Sequence, residues 1–173
     1  MDWCGCNDST GHVVKLDLLG FIGNVTGTIS PSLLELRYLS YLDLSFNDFN
    51  GCPIPEFIGS LRELTYLFIS ESQFSGPIPS QLGNLSRLVD LDLSSNQLTG
   101  SIPESFRNLV ALRELSLKAN LIDGGIPKSL WNICSLHSLN LRSNNLGGDV
   151  FGFLQSTFLC TIYLLEELEF GEN

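Results

Sequence analysis

The chain has 173 residues, 43% of them hydrophobic, and its 9 Lys and Arg are outnumbered by 19 Asp and Glu for a net charge of −10. That much apolar material fills a core and argues against a disordered tail, while the negative field repels a phosphate backbone and excludes nucleic acid as a partner. No apolar run reaches the ~18 residues of a bilayer crossing, and the opening Met1-Asp2-Trp3-Cys4-Gly5-Cys6 has neither a basic nor an apolar stretch, so neither a membrane span nor a secretory signal is expected in these residues.

Self-similarity organises the rest of the chain. Pro55, Pro79, Pro103 and Pro127 recur at intervals of 24 residues, each preceded by Ile. After residues 1–12 come a degenerate first repeat (Val13 to Gly27), Leu39 to Pro55 with one extra residue, and Leu64 to Pro79. Leu88 to Pro103 and Leu112 to Pro127 carry the frame L-x-x-L-x-L-x-x-N-x-L-x-G-x-I-P most cleanly. Leu136 to Gly148 and Leu165 to Asn173 follow, the last repeat ending at its Asn. In L-x-L the leucines of a short strand point one way and the residues between them the other. One repeat cannot bury its leucines alone; stacked repeats share a leucine column and pair their strands in parallel, which predicts a solenoid. Asn47, Asn96, Asn120 and Asn144 stand where the strand turns, and their amides are expected to satisfy backbone groups there, with Ser72 a poorer substitute. Gly-x-Ile-Pro carries the chain to the opposite face, where Pro fixes φ ahead of a short helical turn.

This frame resembles the plant-type leucine-rich repeat, marked by L-x-G-x-I-P after the Asn. The first third, with Thr10-Gly11-His12-Val13-Val14-Lys15-Leu16-Asp17-Leu18, Ile29-Ser30-Pro31-Ser32-Leu33-Leu34-Glu35-Leu36 and Pro53-Ile54-Pro55-Glu56-Phe57-Ile58-Gly59-Ser60-Leu61, resembles the start of the ectodomain of plant receptor-like proteins. The resemblance implies an α/β solenoid: a right-handed horseshoe of about seven repeats of ~24 residues, with a parallel sheet on its concave face and short 3-10 or helical turns on its convex face. Residues 1–12 are expected to be the remnant of an N-terminal cap, because Trp3-Cys4-Gly5-Cys6 shortens the family's opening and lacks its upstream cysteines. Residues 13–173 are expected to be the array, its last repeat truncated and without a C-terminal cap. Leu165, Leu168 and Phe170 are then partly open to water, and the end is expected to fray or self-associate.

The chain has 5 cysteines, an odd number. Cys134 and Cys160 occupy similar places ahead of the last two strands, where they either bridge or remain two buried thiols. A bridge closing a loop of roughly 25 residues stabilises by about 3 kcal/mol in the chain-entropy treatment. Cys4 and Cys6 are too close for an easy bridge, Cys52 is expected to be a free thiol, and no Cys or His spacing points to metal. The sequons Asn7-Asp8-Ser9, Asn24-Val25-Thr26 and Asn84-Leu85-Ser86 all fall away from the concave strands, so glycans there leave the sheet free.

The frame also orders the outward strand residues into three rows. The first runs Lys15, Tyr41, Tyr66, Asp90, Glu114, Ser138, Glu167; the second Asp17, Asp43, Phe68, Asp92, Ser116, Asn140, Glu169; the third Leu19, Ser45, Ser70, Ser94, Lys118, Arg142, Gly171. Aromatic residues (Tyr41, Tyr66, Phe68) thus precede an acidic zone (Asp90, Asp92, Glu114) and a basic pair (Lys118, Arg142), the pattern of a recognition surface, to which Asp43 is added as a further ligand-binding candidate. Two carboxylates at roughly 6 to 7 Å lie in a glycosidase's range, yet an open sheet offers no cleft to raise one pKa, so no catalysis and no cofactor are expected. The expectation is a non-catalytic extracellular or cell-surface module of a plant receptor-like protein in defence or developmental signalling. Its concave face takes a peptide or protein, with a co-receptor as a further partner. The alternatives are an inhibitor of a secreted polysaccharide-degrading hydrolase, built on the same repeat, and a truncated gene product without independent function.

Overall fold

The computed structural model describes residues 4–20, 25–147 and 165–173. Eight short strands form one sheet: β1 (Cys4–Cys6), β2 (Val13–Asp17), β3 (Tyr41–Asp43), β4 (Tyr66–Phe68), β6 (Asp90–Asp92), β8 (Glu114–Ser116), β10 (Ser138–Asn140) and β12 (Glu167–Glu169), neighbours in that order. From β2 onward every pair is parallel, with Leu16, Leu42, Leu67, Leu91, Leu115, Leu139 and Leu168 opposite one another in a single row. The row follows from L-x-L, which puts every other side chain on the core side. Leu42, Leu67, Leu91 and Leu139 have no exposed surface (0%), while Leu168 at the far edge is 40% exposed. Residues 1–12 contribute β1, which runs antiparallel to β2 and covers the other edge of the sheet, with a register shift between Gly5 and Cys6.

The opposite side is built from five-residue 3-10 turns, η1 (Pro31–Glu35), η2 (Glu56–Ser60), η3 (Ser80–Asn84), η4 (Glu104–Asn108) and η5 (Lys128–Asn132). Every helical segment among the described residues is of this kind, so the second layer of the expected α/β solenoid is one of 3-10 turns rather than α-helices. Each repeat leaves about five residues for this side, and a 3-10 turn advances about 2.0 Å per residue. Pro55, Pro79, Pro103 and Pro127 cap η2 to η5 from extended backbone with φ between −63° and −67°, the value their rings impose. Ile58, Leu82, Phe106 and Leu130 drop from these turns into the core.

A second parallel sheet, absent from the sequence reading, joins β5 (Ser75–Pro77), β7 (Gln97–Gly100), β9 (Leu121–Gly124) and β11 (Asn145–Leu146). Its signal was the period-2 alternation after each turn residue: Leu98 and Ile122 are buried, whereas Gln97, Thr99, Leu121 and Asp123 are exposed. Once the first sheet stacks the repeats, these extended segments lie side by side and pair.

The turn amides behave as expected. Asn96 donates from Nδ2 to the carbonyls of Ile69 (2.8 Å), Leu93 (3.1 Å) and Ser94 (3.0 Å), and its Oδ1 accepts from the N–H groups of Ser72 (3.2 Å) and Phe74 (2.9 Å). Each such Asn stitches its own strand end to the preceding repeat. Ser72 has one hydroxyl proton for the carbonyls of Leu44 (2.8 Å) and Ser70 (2.9 Å), and the Phe49 N–H turns to the Ser72 backbone oxygen instead (3.1 Å). Beneath these turns Phe49 and Phe74 stack at 4.6 Å.

Cys4, Cys6 and Cys52 are free thiols, and Cys134 is disulfide-bonded. Cys160 and Asn24 lie outside the described residues. Asn7 is exposed in a turn that its own Oδ1 holds by accepting from Ser9 and Thr10. Asn84 is exposed at the end of η3, on the side away from the large sheet. No helix among the described residues is long and apolar enough to cross a membrane.

Candidate functional site

The outward residues of the large sheet fall into the three rows read from the sequence. Lys15, Tyr41, Tyr66, Asp90, Glu114, Ser138 and Glu167 are register partners, as are Asp17, Asp43, Phe68, Asp92, Ser116, Asn140 and Glu169. Backbone bonds from Gly20 to Ser45, Phe46 to Ser70, Glu71 to Ser94, Ser95 to Lys118, Ala119 to Arg142 and Ser143 to Gly171 carry the third row.

The aromatic residues form one cluster. Tyr41 lies 5.9 Å from Tyr66 and 5.6 Å from Phe68, the latter edge-on, and Tyr66 lies 6.3 Å from Phe68. Such cross-strand ring pairs stiffen the sheet, and Tyr66 still exposes 40% of its surface. The Lys15 ammonium sits 4.6 Å from the centre of the Tyr41 ring and 3.0 Å from the Asp17 carboxylate. Burial first, then the carboxylates of Asp43 and Asp17, push the Tyr41 phenol up to about 12, so it remains a neutral donor to Asp43 Oδ2 at 3.4 Å.

Asp43 departs from the expected open position. Only 8% of it is exposed, because Tyr41 bonds to one oxygen while the other accepts from the Ser45 N–H at 2.9 Å. Ser45, in the third row, is buried as well at 3%. The Asp43 bond recurs along the second row: Asp92 accepts from Ser94 at 2.8 Å, Asp17 from Leu19 at 3.4 Å and Asn140 from Arg142 at 3.1 Å. A short acceptor at this position closes the strand end locally, which the sequence alone left indistinguishable from a binding role.

Asp90, Asp92 and Glu114 share the next two strands and line a shallow depression of ≈ 230 Å³ with Phe68 at one wall and Ser138 and Asn140 at the other. Among the described residues no cation is within ion-pair distance of any of these three carboxylates. Burial, then the charges of Glu114 and Asp92, push the Asp90 carboxyl up to about 6. The basic pair divides: Lys118 is exposed, whereas Arg142 reaches Glu172 at 3.0 Å and, with Ser143, holds that carboxyl below its usual range. Among the described residues no group of three or more His, Cys, Asp or Glu is placed to hold a metal ion.

The raised Asp90 pKa carries a stability consequence with a definite sign. The folded state holds this proton more tightly than the unfolded chain, so the penalty is absent below the ordinary value of 3.8, grows between there and about 6, and is fully present above. Asp90→Asn is expected to stabilise the fold at pH 7.5 by about 1 kcal/mol, after allowance for solvent screening of a half-exposed group, and to be neutral at pH 3.5. Urea unfolding of both chains at the two pH values checks this; an equal effect at both pH values contradicts it.

A family profile described as Leucine rich repeat matches residues 62–122 and 86–146, and a second, Leucine Rich Repeat, matches residues 38–61. Receptor-like protein EIX2 of Solanum lycopersicum is 50% identical over 86 residues, which is 43% of this chain and 8% of that protein. The chain thus spans less than a tenth of the length of this curated relative. The ectodomain of the Arabidopsis thaliana receptor kinase GASSHO1/SCHENGEN3, solved in complex with CASPARIAN STRIP INTEGRITY FACTOR 2, superposes with a TM-score of 0.82 at 33% identity, covering 96% of this chain and 19% of that one. The PEPR1–AtPEP1 structure gives 0.73 at 35% identity over 87% of this chain and 21% of that one. Strands of one frame paired in register, together with these matches, place the chain in the leucine-rich-repeat family, where its similarity is to plant receptor-like proteins.

Proposed function

We propose that the chain is a non-catalytic, extracellular recognition module of a plant receptor-like protein, and that it takes a peptide or protein ligand on the outward face of the large sheet. The observation that carries this reading is an aromatic cluster beside half-buried carboxylates without a counter-cation, on a sheet face that no other described element covers. Ring contacts and desolvated charge give much contact energy for few rotors. The relatives support it: one is named a receptor-like protein, and two proteins of the same fold were solved in complexes, GASSHO1/SCHENGEN3 with CASPARIAN STRIP INTEGRITY FACTOR 2 and PEPR1 with AtPEP1. One of them is named a receptor-like protein and another a receptor kinase, so the hydrolase-inhibitor reading is not favoured. Tyr66, Phe68, Asp90, Asp92 and Glu114 form the contact centre, flanked by Tyr41, Lys118 and Arg142, while Asp43 shapes the strand end. Glycans on Asn7, Asn24 and Asn84 and a Cys134–Cys160 bridge belong to the same reading, and Asn84, at the end of η3, lies on the side away from that face. Defence or developmental signalling, with a co-receptor as second partner, is the role proposed for the whole protein.

A displayed library of random peptides panned on the purified chain tests the surface. Selected peptides are expected to lose at least about tenfold in affinity on the Tyr66→Ala/Asp92→Ala variant, whose fold is checked by circular dichroism. Peptides that bind both chains equally overturn the surface assignment.

A further inference from the structure

The inference below rests on that reading and names the chemistry at its centre. We infer that the outward face over β4, β6 and β8 takes an arginine side chain of an extended peptide, its guanidinium lying against Phe68 and its N–H groups directed at Asp92 and Asp90.

The protein already holds one cation between a ring and a carboxylate of this sheet, supplied by its own chain. On β2 the Lys15 ammonium occupies the space between the Tyr41 ring, 4.6 Å away, and the Asp17 carboxylate, 3.0 Å away. Tyr41 is the register partner of Lys15, so ring and cation are neighbours across one strand pair. Farther along the sheet ring and carboxylate are themselves register partners, with no cation between them: Tyr66 is the partner of Asp90, and Phe68 of Asp92. The position equivalent to Lys15 holds Asp90 on β6 and Glu114 on β8, so the chain adds negative charge where β2 supplies a positive one. The mutual repulsion of these groups is unrelieved within the described residues. A cationic side chain from outside relieves it and stacks on the ring face in the same act.

Geometry favours guanidinium over ammonium. Asp90 and Asp92 stand two residues apart on one strand, roughly 6 to 7 Å, and Glu114 about 4.8 Å away on the next. A planar fork with five N–H donors spans carboxylates at that spacing and lies flat on a ring; an ammonium is a point charge that serves one of them at a time. The groups facing Asp90 are Tyr66 on β4, Asp92 on its own strand and Glu114 on β8, with Tyr41 one strand farther. None of them is positive, so protonation of Asp90 weakens the site.

The probe is N-acetyl-arginine amide, titrated into the isotopically labelled full chain and followed by amide chemical shifts, with N-acetyl-citrulline amide as the uncharged isostere. Saturable shifts confined to β4, β6 and β8 are expected with arginine and not with citrulline, and they weaken from pH 7.5 to pH 5. Asp92→Asn keeps the acceptor for the Ser94 N–H and so keeps the strand end, yet it is expected to weaken arginine binding about tenfold. Equal shifts from citrulline, shifts elsewhere, or no shifts overturn the arginine site. The two readings fail separately: library peptides that need Tyr66 and Asp92 while arginine leaves the sheet silent sink this inference alone. Peptides indifferent to the double variant sink the surface itself.

Discussion

Asn120→Ala is expected to lower the unfolding free energy by about 3–5 kcal/mol, a large share of what a domain this size holds in reserve. The side chain is 6% exposed and sits between two repeats. Its Nδ2 donates to the carbonyls of Leu93 (3.0 Å), Leu117 (3.0 Å) and Lys118 (3.3 Å), and its Oδ1 accepts from the Leu98 N–H at 3.0 Å. Alanine leaves the Leu98 N–H buried without its acceptor, at about 1–3 kcal/mol, and takes a bond worth about 0.5–1.5 kcal/mol from each of the carbonyls of Leu93, Leu117 and Lys118, which keep Asn96, Asn144 and the Ser95 N–H as their other donors. Asn120→Asp is expected to be at least as damaging at pH 7, because a carboxylate keeps the Leu98 bond but turns a negative oxygen toward the carbonyls. Part of that loss is recovered at low pH, where the acid regains one donor. Urea unfolding followed by circular dichroism at pH 7 and pH 4 separates the two variants. A loss under about 1 kcal/mol for alanine contradicts the bridging role.

Gly59→Ala is expected to cost about 3 kcal/mol for a different reason, the room between neighbouring turns. A Cβ built there meets the Gln81 carbonyl oxygen at 2.2 Å and its carbon at 2.5 Å, and the same position in the next repeat, Gly83, meets the Ser105 oxygen at 2.5 Å. Backbone atoms cannot swing aside as a flexible side chain does, so η2 and η3 must separate. The conformational preference of glycine plays no part, since neither residue has a positive φ. Gly147→Ala is the matched control: nothing lies within 4 Å of its added Cβ, and a near-neutral effect is expected. Thermal unfolding of the two variants checks the contrast, and similar melting temperatures refute the steric explanation.

These two positions differ in how visible they were. The repeated Asn announced itself in the 24-residue frame, and its hydrogen bonds to the preceding repeat follow from standing at a turn that every repeat makes. The glycine requirement was hidden, because the equivalent places in the next two repeats hold Arg107 and Trp131, the latter 1% exposed with its ring 6.3 Å from Phe170. No motif separates a position that tolerates only hydrogen from one that a tryptophan fills; the distance to the facing turn does. The second sheet was missed for a related reason. Its short segments carry weak alternation, and they pair because the first sheet has already set the repeats at strand spacing.

The candidate site divides along the same line. Which residues share a row on the outward face was decided by chain order, since a constant period brings equivalent strand positions together and alternation sends them outward; the pairing of Tyr66 with Asp90 and of Phe68 with Asp92 needed nothing more. Tertiary structure decided how each group in those rows is spent. Asp43 is tied to Tyr41 and Ser45 and covered, Arg142 is paired with Glu172, and Asp90 is left half-buried beside two like charges. Exposure and pKa depend on neighbours two dozen residues away and on the water they displace. A local pattern of leucines, however regular, carries no record of either.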